Sequence, residues 1–169
     1  SGCDRTLARM NRKYNTTEFL ACVERLRRYF PGCALTADMI TGFPGETEAD
    51  QAAAVEFLEQ VGFAAVHVFP YSRRPGTKAD AMPEQLSHAV KSARAHEAQR
   101  VADACKQRYL AQQVGRILPV LFETEHDGNW VGHSDNYCLV RVAGDNLRGL
   151  VKNVKISAVS GQMLVGDLV

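Results

Sequence analysis

The chain has 169 residues, 46% hydrophobic and 23% charged, a globular composition long enough for one domain, or for one and a small second. Its net charge of +1 excludes a global basic signature for nucleic acid, so any such contact has to come from local patches. No apolar run approaches the roughly 20 residues of a membrane span and no secretory pattern opens the chain, while five scattered cysteines argue against a disulfide framework and form no metal-type cluster; a cytoplasmic protein with no membrane partner is the default expectation.

In chain order, Asp4 is placed to cap a short helix in which Leu7 and Met10 share the inward face. Arg5, Arg9 and Arg12 recur there at helical spacing with Lys13 beside them. Residues 1–30 carry seven Lys/Arg against three Asp/Glu, whereas residues 38–63 carry six Asp/Glu and no Lys/Arg, so the charges are segregated. Solvated helix faces carry such stripes as well, and a stripe alone does not name a ligand.

A second helix starts near Thr16 or Thr17 and runs to about Tyr29, with Phe19, Leu20, Val23, Leu26 and Phe30 on its buried face and Pro31-Gly32 as its stop. A strand over about 34–41 holds Asp38 among apolar neighbours, where a carboxylate has to be hydrogen-bonded, paired or near the open end. The turn Gly42-Phe43-Pro44-Gly45-Glu46 follows. A capping box, Thr47 with Asp50, then opens a helix marked by Ala54, Phe57, Leu58 and Val61 and closed by Gly62. The run 64–69 reads as a buried strand, which completes a right-handed βαβ unit. Ligands of such units sit at the carboxyl ends of the strands, so the turn after Thr41 and the loop 70–77 are the candidate site, although two glycines also suffice for a mere tight turn. His67, alone in mid-strand, is at most a wall of that site. Pro83 and Glu84 open a long polar helix, roughly 84–112, with Leu86, Val90, Ala93, Val101, Ala104 and Cys105 along one side.

From Gly115 the period falls to 2. Strands are expected near 116–125, 129–133, 137–142, 148–158 and 162–169, five in some 55 residues, as in a small antiparallel barrel. Barrels of this kind bind single strands or loops of nucleic acid, and Tyr137, Trp130, Arg148, Lys152 and Lys155 are available for that purpose. Five Lys/Arg against six Asp/Glu make the charge signal weak.

Four motifs in order, Ser1-Gly2-Cys3-Asp4-Arg5-Thr6-Leu7, Met10-Asn11-Arg12-Lys13-Tyr14, Gly42-Phe43-Pro44-Gly45-Glu46-Thr47 and His67-Val68-Phe69-Pro70-Tyr71-Ser72, resemble the radical S-adenosylmethionine methylthiotransferases. Cys3 after Ser-Gly, and His-Val-Phe-Pro-Tyr-Ser, resemble the branch that modifies threonylcarbamoyl-adenosine beside the tRNA anticodon more than the isopentenyl-adenosine branch. The tail resembles the TRAM domain, a tRNA-binding β-barrel. The resemblance implies an α/β region that is the C-terminal part of a radical SAM partial TIM-like barrel, residues 1–112, followed by a small antiparallel TRAM-like β-barrel, residues 113–169.

It further implies S-adenosylmethionine and 4Fe-4S clusters as cofactors, a tRNA anticodon stem-loop as substrate and a sulfur donor as partner. The implied chemistry is reductive cleavage of S-adenosylmethionine to a 5′-deoxyadenosyl radical, which activates the adenine carbon for sulfur insertion and methylation. The cluster motif C-x3-C-x2-C does not occur in this sequence, and Ser1 matches the end of the fourth barrel strand. The expectation is therefore an inactive fragment that lacks the cluster cysteines. Cofactor contacts are expected from Ile40 through Glu46, including Gly42 and Phe43, with Asp38, from Val68 and Phe69 as the other wall, and from Ser1 and Gly2 near the ribose or methionine part. Phosphate contacts are assigned by charge and position to Arg5, Arg9, Arg12, Lys13, Arg73 and Arg74. Two other readings stay open, a non-catalytic RNA-binding module and a nucleotide-binding domain of another enzyme. Two strands cut from a barrel also expose an edge, which favours self-association; light scattering that finds a cooperatively unfolding monomer would count against this.

Overall fold

The structure is a computed structural model that describes all residues, 1–169. It divides into two compact units, residues 1–106 and 107–169.

The first unit contains α1 (Asp4–Arg9), α2 (Thr16–Tyr29), β1 (Thr36–Thr41), α3 (Glu48–Val61), β2 (Ala65–Pro70) and most of α4 (His88–Ala111). β1 and β2 pair in parallel, Thr36 opposite Ala65 through Thr41 opposite Pro70, as the βαβ reading requires. Side chains alternate across this sheet. Met39 and Val66 are buried with Ala54, Phe57, Leu58 and Val61 of the crossover helix and with Ala98 and Ala102 of α4. The opposite face, with Asp38, His67 and Phe69, is exposed.

Local signals explain most boundaries. α2 is capped by Asn15, whose side chain accepts from Glu18 N at 2.8 Å while Glu18 Oε2 accepts from Asn15 N at 3.1 Å. α3 carries the expected Thr47/Asp50 capping box and ends on Gly62 in the left-handed region, φ 61°. Three expectations are corrected. Asp4 is not a cap: Cys3 holds that position, and Asp4 Oδ1 accepts instead from Thr16 N at 2.7 Å, joining α1 to the start of α2. The last turn of α2 leaves Leu26, Tyr29 and Phe30 exposed, because a two-stranded sheet is too narrow to cover it. α4 begins at His88 rather than 84, since Glu84 has φ 62° and its carbonyl accepts from Gly45 N at 3.0 Å. Its buried seam is Arg94, Ala95, Ala98, Ala102 and Cys105; Ala93 and Ala104 are exposed.

The second unit is a closed barrel of β3 (Ile117–His126), β4 (Asn129–Ser134), β5 (Leu139–Ala143), β6 (Val151–Ser160) and β7 (Met163–Leu168), with ring order β3-β4-β5-β7-β6. The expected antiparallel barrel is corrected at one seam, where β5 and β7 run parallel. A ring with an odd number of strands cannot alternate direction all the way round, so one neighbouring pair has to be parallel. Phe122, Val120, Val140, Val142, Val154, Ile156 and Leu164 fill the interior. Trp130 is buried among the barrel's side chains rather than presented to RNA. The two long strands, β3 and β6, bulge just past the residues paired with glycines: Phe122 opposite Gly132, and Ile156 opposite Gly166. A Cβ on Gly132 would lie 2.0 Å from Leu121 O, and one on Gly166 2.3 Å from Lys155 O, so both strands approach where only hydrogen fits.

Candidate functional site

The turn that leaves β1 runs from Gly42 to Glu46, and both glycines have positive φ, 69° and 73°. Three successive carbonyls in it each accept from an arginine. Arg9 Nε donates to Pro44 O at 2.9 Å, Arg5 Nη1 to Gly45 O at 3.1 Å and Arg94 Nη1 to Glu46 O at 2.9 Å. Arg94 Nη1 also donates to Glu46 Oε1 at 2.9 Å, and that same oxygen accepts from Gly42 N at 2.8 Å. Arg94 Nη2 reaches Glu48 Oε1 at 2.5 Å. The Arg94 and Glu46 side chains are only 6% and 2% exposed. Burial disfavours the Arg94 charge, but the hydrogen bonds it donates to Glu48 and Glu46, together with their negative charges, outweigh it and hold the guanidinium more firmly protonated than usual.

Asp50 joins the same framework. It accepts from Thr47 N and Oγ1, each at 2.8 Å, from the Cys3 thiol at 3.3 Å, and from Arg5. Burial alone would raise its pKa, yet the Thr47 bonds, the thiol and the Arg5 charge together place its carboxyl below the ordinary range. A depressed carboxyl contributes stability that is complete above its unfolded pKa, about 3.9, and is lost as pH falls through the folded value. Asp50→Asn is thus expected to cost about 1–3 kcal/mol at neutral pH and to shrink the acid-side loss of stability in denaturant titrations between about pH 5 and 2. An unchanged acid limb would contradict this.

Several expected cofactor residues are placed differently from the sequence reading. Gly42 does not leave its Cβ direction open, because a Cβ there would meet Lys91 Cγ of α4 at 2.5 Å. Phe43 is buried beneath the turn, edge-on to Tyr71 at 5.3 Å. Glu46 spends its carboxylate on Gly42 and Arg94. Val68 packs toward the helical core whereas Phe69, one residue on, takes the other face, since neighbours along a strand point to opposite sides.

The open face brings Ile40, Phe69 and Asp38 together. Ile40 and Phe69 stand opposite each other in register at the carboxyl ends of the strands, Phe69 half exposed. One step back, Asp38 stands opposite His67, exposed, so water satisfies the carboxylate that the sequence placed among apolar neighbours. The His67 ring stacks on Phe69 at 6.4 Å. Ser1 and Gly2 are not on that face: with Asp38 they line a small cavity of about 50 Å³ whose other walls, Met39, Phe57, Leu58 and Phe63, belong to the helix-side core. Behind the turn, the Thr41 and Tyr71 hydroxyls are buried without a hydrogen-bond partner. An iron–sulfur cluster does not fit the residues present, as no group of three or more His, Cys, Asp or Glu converges as a donor set.

The basic residues divide in a similar way. Arg5 and Arg9 hold the turn, and Arg73 is spent on Asp80 at 2.6 Å. Arg12, Lys13 and Arg74 are exposed and make no ion pair. In the barrel, Tyr137 is 85% exposed at φ 60°. Its turn is fixed by Ser134, whose Oγ accepts from Cys138 N at 3.0 Å, and by Asn136, whose Nδ2 donates to Tyr109 Oη at 3.0 Å. Tyr137 lines a concavity of about 360 Å³ with His133, Leu121 and Val151, and His133 Nδ1 lies 2.6 Å from Glu123. Arg148 and Lys152 are exposed but do not line it. Sequence reading missed Arg94; its signal was an arginine at the i−4 position of the alanine seam 98, 102.

No protein-family model matches the chain. It is 36% identical over 162 residues, 92% of its length, to the threonylcarbamoyladenosine tRNA methylthiotransferase MtaB of Bacillus subtilis, covering 36% of that protein. It is 40% identical over 99% of its length to the tRNA-2-methylthio-N(6)-dimethylallyladenosine synthase of Maricaulis maris, covering 38% of it. The synthase of that name from Nitratidesulfovibrio vulgaris is 36% identical over 99% of the chain, with 39% covered. The chain thus spans well under half the length of these relatives, and identity does not separate their two substrates. Over almost its whole length the chain is therefore homologous to part of these tRNA methylthiotransferases.

Proposed function

We propose that this chain is the part of a cytoplasmic radical S-adenosylmethionine enzyme that lines the adenine side of the cofactor and carries a TRAM-type RNA-binding barrel. The enzyme adds a methylthio group to C2 of a threonylcarbamoyl-type adenosine next to the anticodon. The observation that carries this reading is the Ile40/Phe69 wall on the open sheet face, beside a turn held by three arginines, in a homologue of methylthiotransferases. Bound S-adenosylmethionine, with a cluster held elsewhere in the enzyme, supplies the radical chemistry. This chain's residues bind and orient: Ile40 and Phe69 pack the adenine, with Asp38 toward its ribose end. The Ser-Gly-Cys3 and His-Val-Phe-Pro-Tyr-Ser motifs support the threonylcarbamoyl branch. The sulfur donor belongs to the rest of the enzyme, and the unpaired outer edges of β1 and β2 support self-association of the chain taken alone.

For RNA, Arg12, Lys13, Arg74, Arg148 and Lys152 are exposed cations available to phosphates, and Tyr137 offers a ring for stacking. Binding of an anticodon stem-loop should weaken steeply with salt. The double variant Arg12→Ala/Lys13→Ala should lower the slope of log K against log salt by about 1–2 and weaken all stem-loops alike. Fluorescence anisotropy over a salt series measures both, and salt-independent binding, or none, would overturn the assignment.

A further inference from the structure

The three arginines at the turn are not equivalent. Arg5 is half exposed, and Arg9 pairs with the exposed Glu84. Arg94 alone is nine-tenths buried, and it alone reaches the carboxylate that receives the Gly42 N–H. The resulting circuit runs from Gly42 N–H to Glu46 Oε1, through Arg94 Nη1, and back to Glu46 O. It ties together both ends of a five-residue turn that has two left-handed glycines. Arg94 is itself fixed to α3, as Gln51 Nε2 donates to its carbonyl at 3.2 Å and to Glu97 at 3.0 Å. Gly42 lies two residues after Ile40, so the circuit sets where β1 stops and how its last open-face residue is presented. The Glu48 contact is different in kind: that side chain is 88% exposed, and solvent replaces it readily.

A buried ion pair is seldom more stabilising than apolar residues of the same volume, whereas its directional bonds admit fewer arrangements. We propose that Arg94, acting through Glu46, is a positioning residue that holds the Ile40–Gly42 end of β1 in the conformation that receives the adenosyl group. This rests on the functional reading above. Arg94 touches no ligand in this account and acts only through the turn.

The test uses the whole protein that carries this sequence, with S-adenosylmethionine as the probe. Hydrogen exchange at the Gly42 amide reports the turn, equilibrium binding reports the site and circular dichroism reports the fold. In the wild type the Gly42 amide should be protected like the core of β1; exchange at loop rates would overturn the proposal without any variant. Arg94→Lys, which has one donor atom for several acceptors, and the volume-matched pair Arg94→Met/Glu46→Met should stay folded. Both should exchange Gly42 about tenfold faster and bind S-adenosylmethionine about tenfold more weakly. Glu48→Gln should match the wild type in both. Folded variants with wild-type Gly42 exchange and affinity would overturn the positioning role. A wild type that binds no S-adenosylmethionine would sink the functional reading, and Gly42 exchange would still decide the circuit.

Discussion

Arg94→Ala is expected to destabilise residues 1–106 by about 3–5 kcal/mol, because it leaves the Glu46 carboxylate buried with a single N–H donor and no counter-charge. Two turn contacts go with it, the bonds to Glu46 O and Glu48. Stability rather than side-chain volume is at stake, so Arg94→Met alone should fail nearly as badly, whereas Arg94→Met/Glu46→Met should recover most of the loss by removing both charges. Urea unfolding followed by far-ultraviolet circular dichroism measures the three variants on one scale. A single Arg94→Ala variant within about 1 kcal/mol of wild type would mean that the pair is wetter than its burial implies.

Gly132→Ala should be at least as damaging to the barrel. The added Cβ meets backbone, the Leu121 carbonyl oxygen at 2.0 Å and the Phe122 Cα at 2.8 Å, and backbone in a closed ring cannot step aside as a flexible side chain would. Overpacking of this kind costs about 3 kcal/mol or more, comparable with the whole stability of a unit this small. Gly166→Ala should behave alike, against Lys155 O and Val154. Gly128→Ala, with nothing near its Cβ, should cost only the strain of its positive φ, about 1 kcal/mol. The chain has one tryptophan, Trp130, buried in the barrel, so its emission reports this unit alone. Red-shifted emission in Gly132→Ala and native emission in Gly128→Ala is the expected pair of results; native emission and an unmoved midpoint in Gly132→Ala would contradict the tight closure.

What could be read from residues alone follows the range of the interactions involved. The Thr47/Asp50 box, the Gly62 stop and the switch of period at Gly115 are local, and each reappears within a residue or two in the structure. The sequence reading failed where distant segments meet. Arg5 and Arg9 look like a basic stripe because their acceptors, Gly45 O and Pro44 O, lie 40 and 35 residues away, and backbone carbonyls carry no mark in a sequence. Arg94 reads as one more charge on a polar helix until α4 is laid against Glu46. The resemblance puts Val68 and Phe69 on one wall, although strand alternation already separates them. The parallel β5–β7 seam follows from counting strands in a ring, but only once closure is known.

The claim that most needs testing is that the protein carrying this sequence methylthiolates tRNA at a threonylcarbamoyl-type adenosine, using the wall made by Ile40 and Phe69. The direct measurement is mass spectrometry of nucleosides from tRNA of cells that make the wild-type protein, a Phe69→Ala variant, or neither. The account predicts 2-methylthio-threonylcarbamoyl-adenosine with the wild type, its unmethylthiolated precursor without the protein, and mostly precursor with Phe69→Ala. A methylthio group appearing on the isopentenyl-type nucleoside would move the chain to the other branch, and methylthio nucleosides that do not change with the protein would contradict the account.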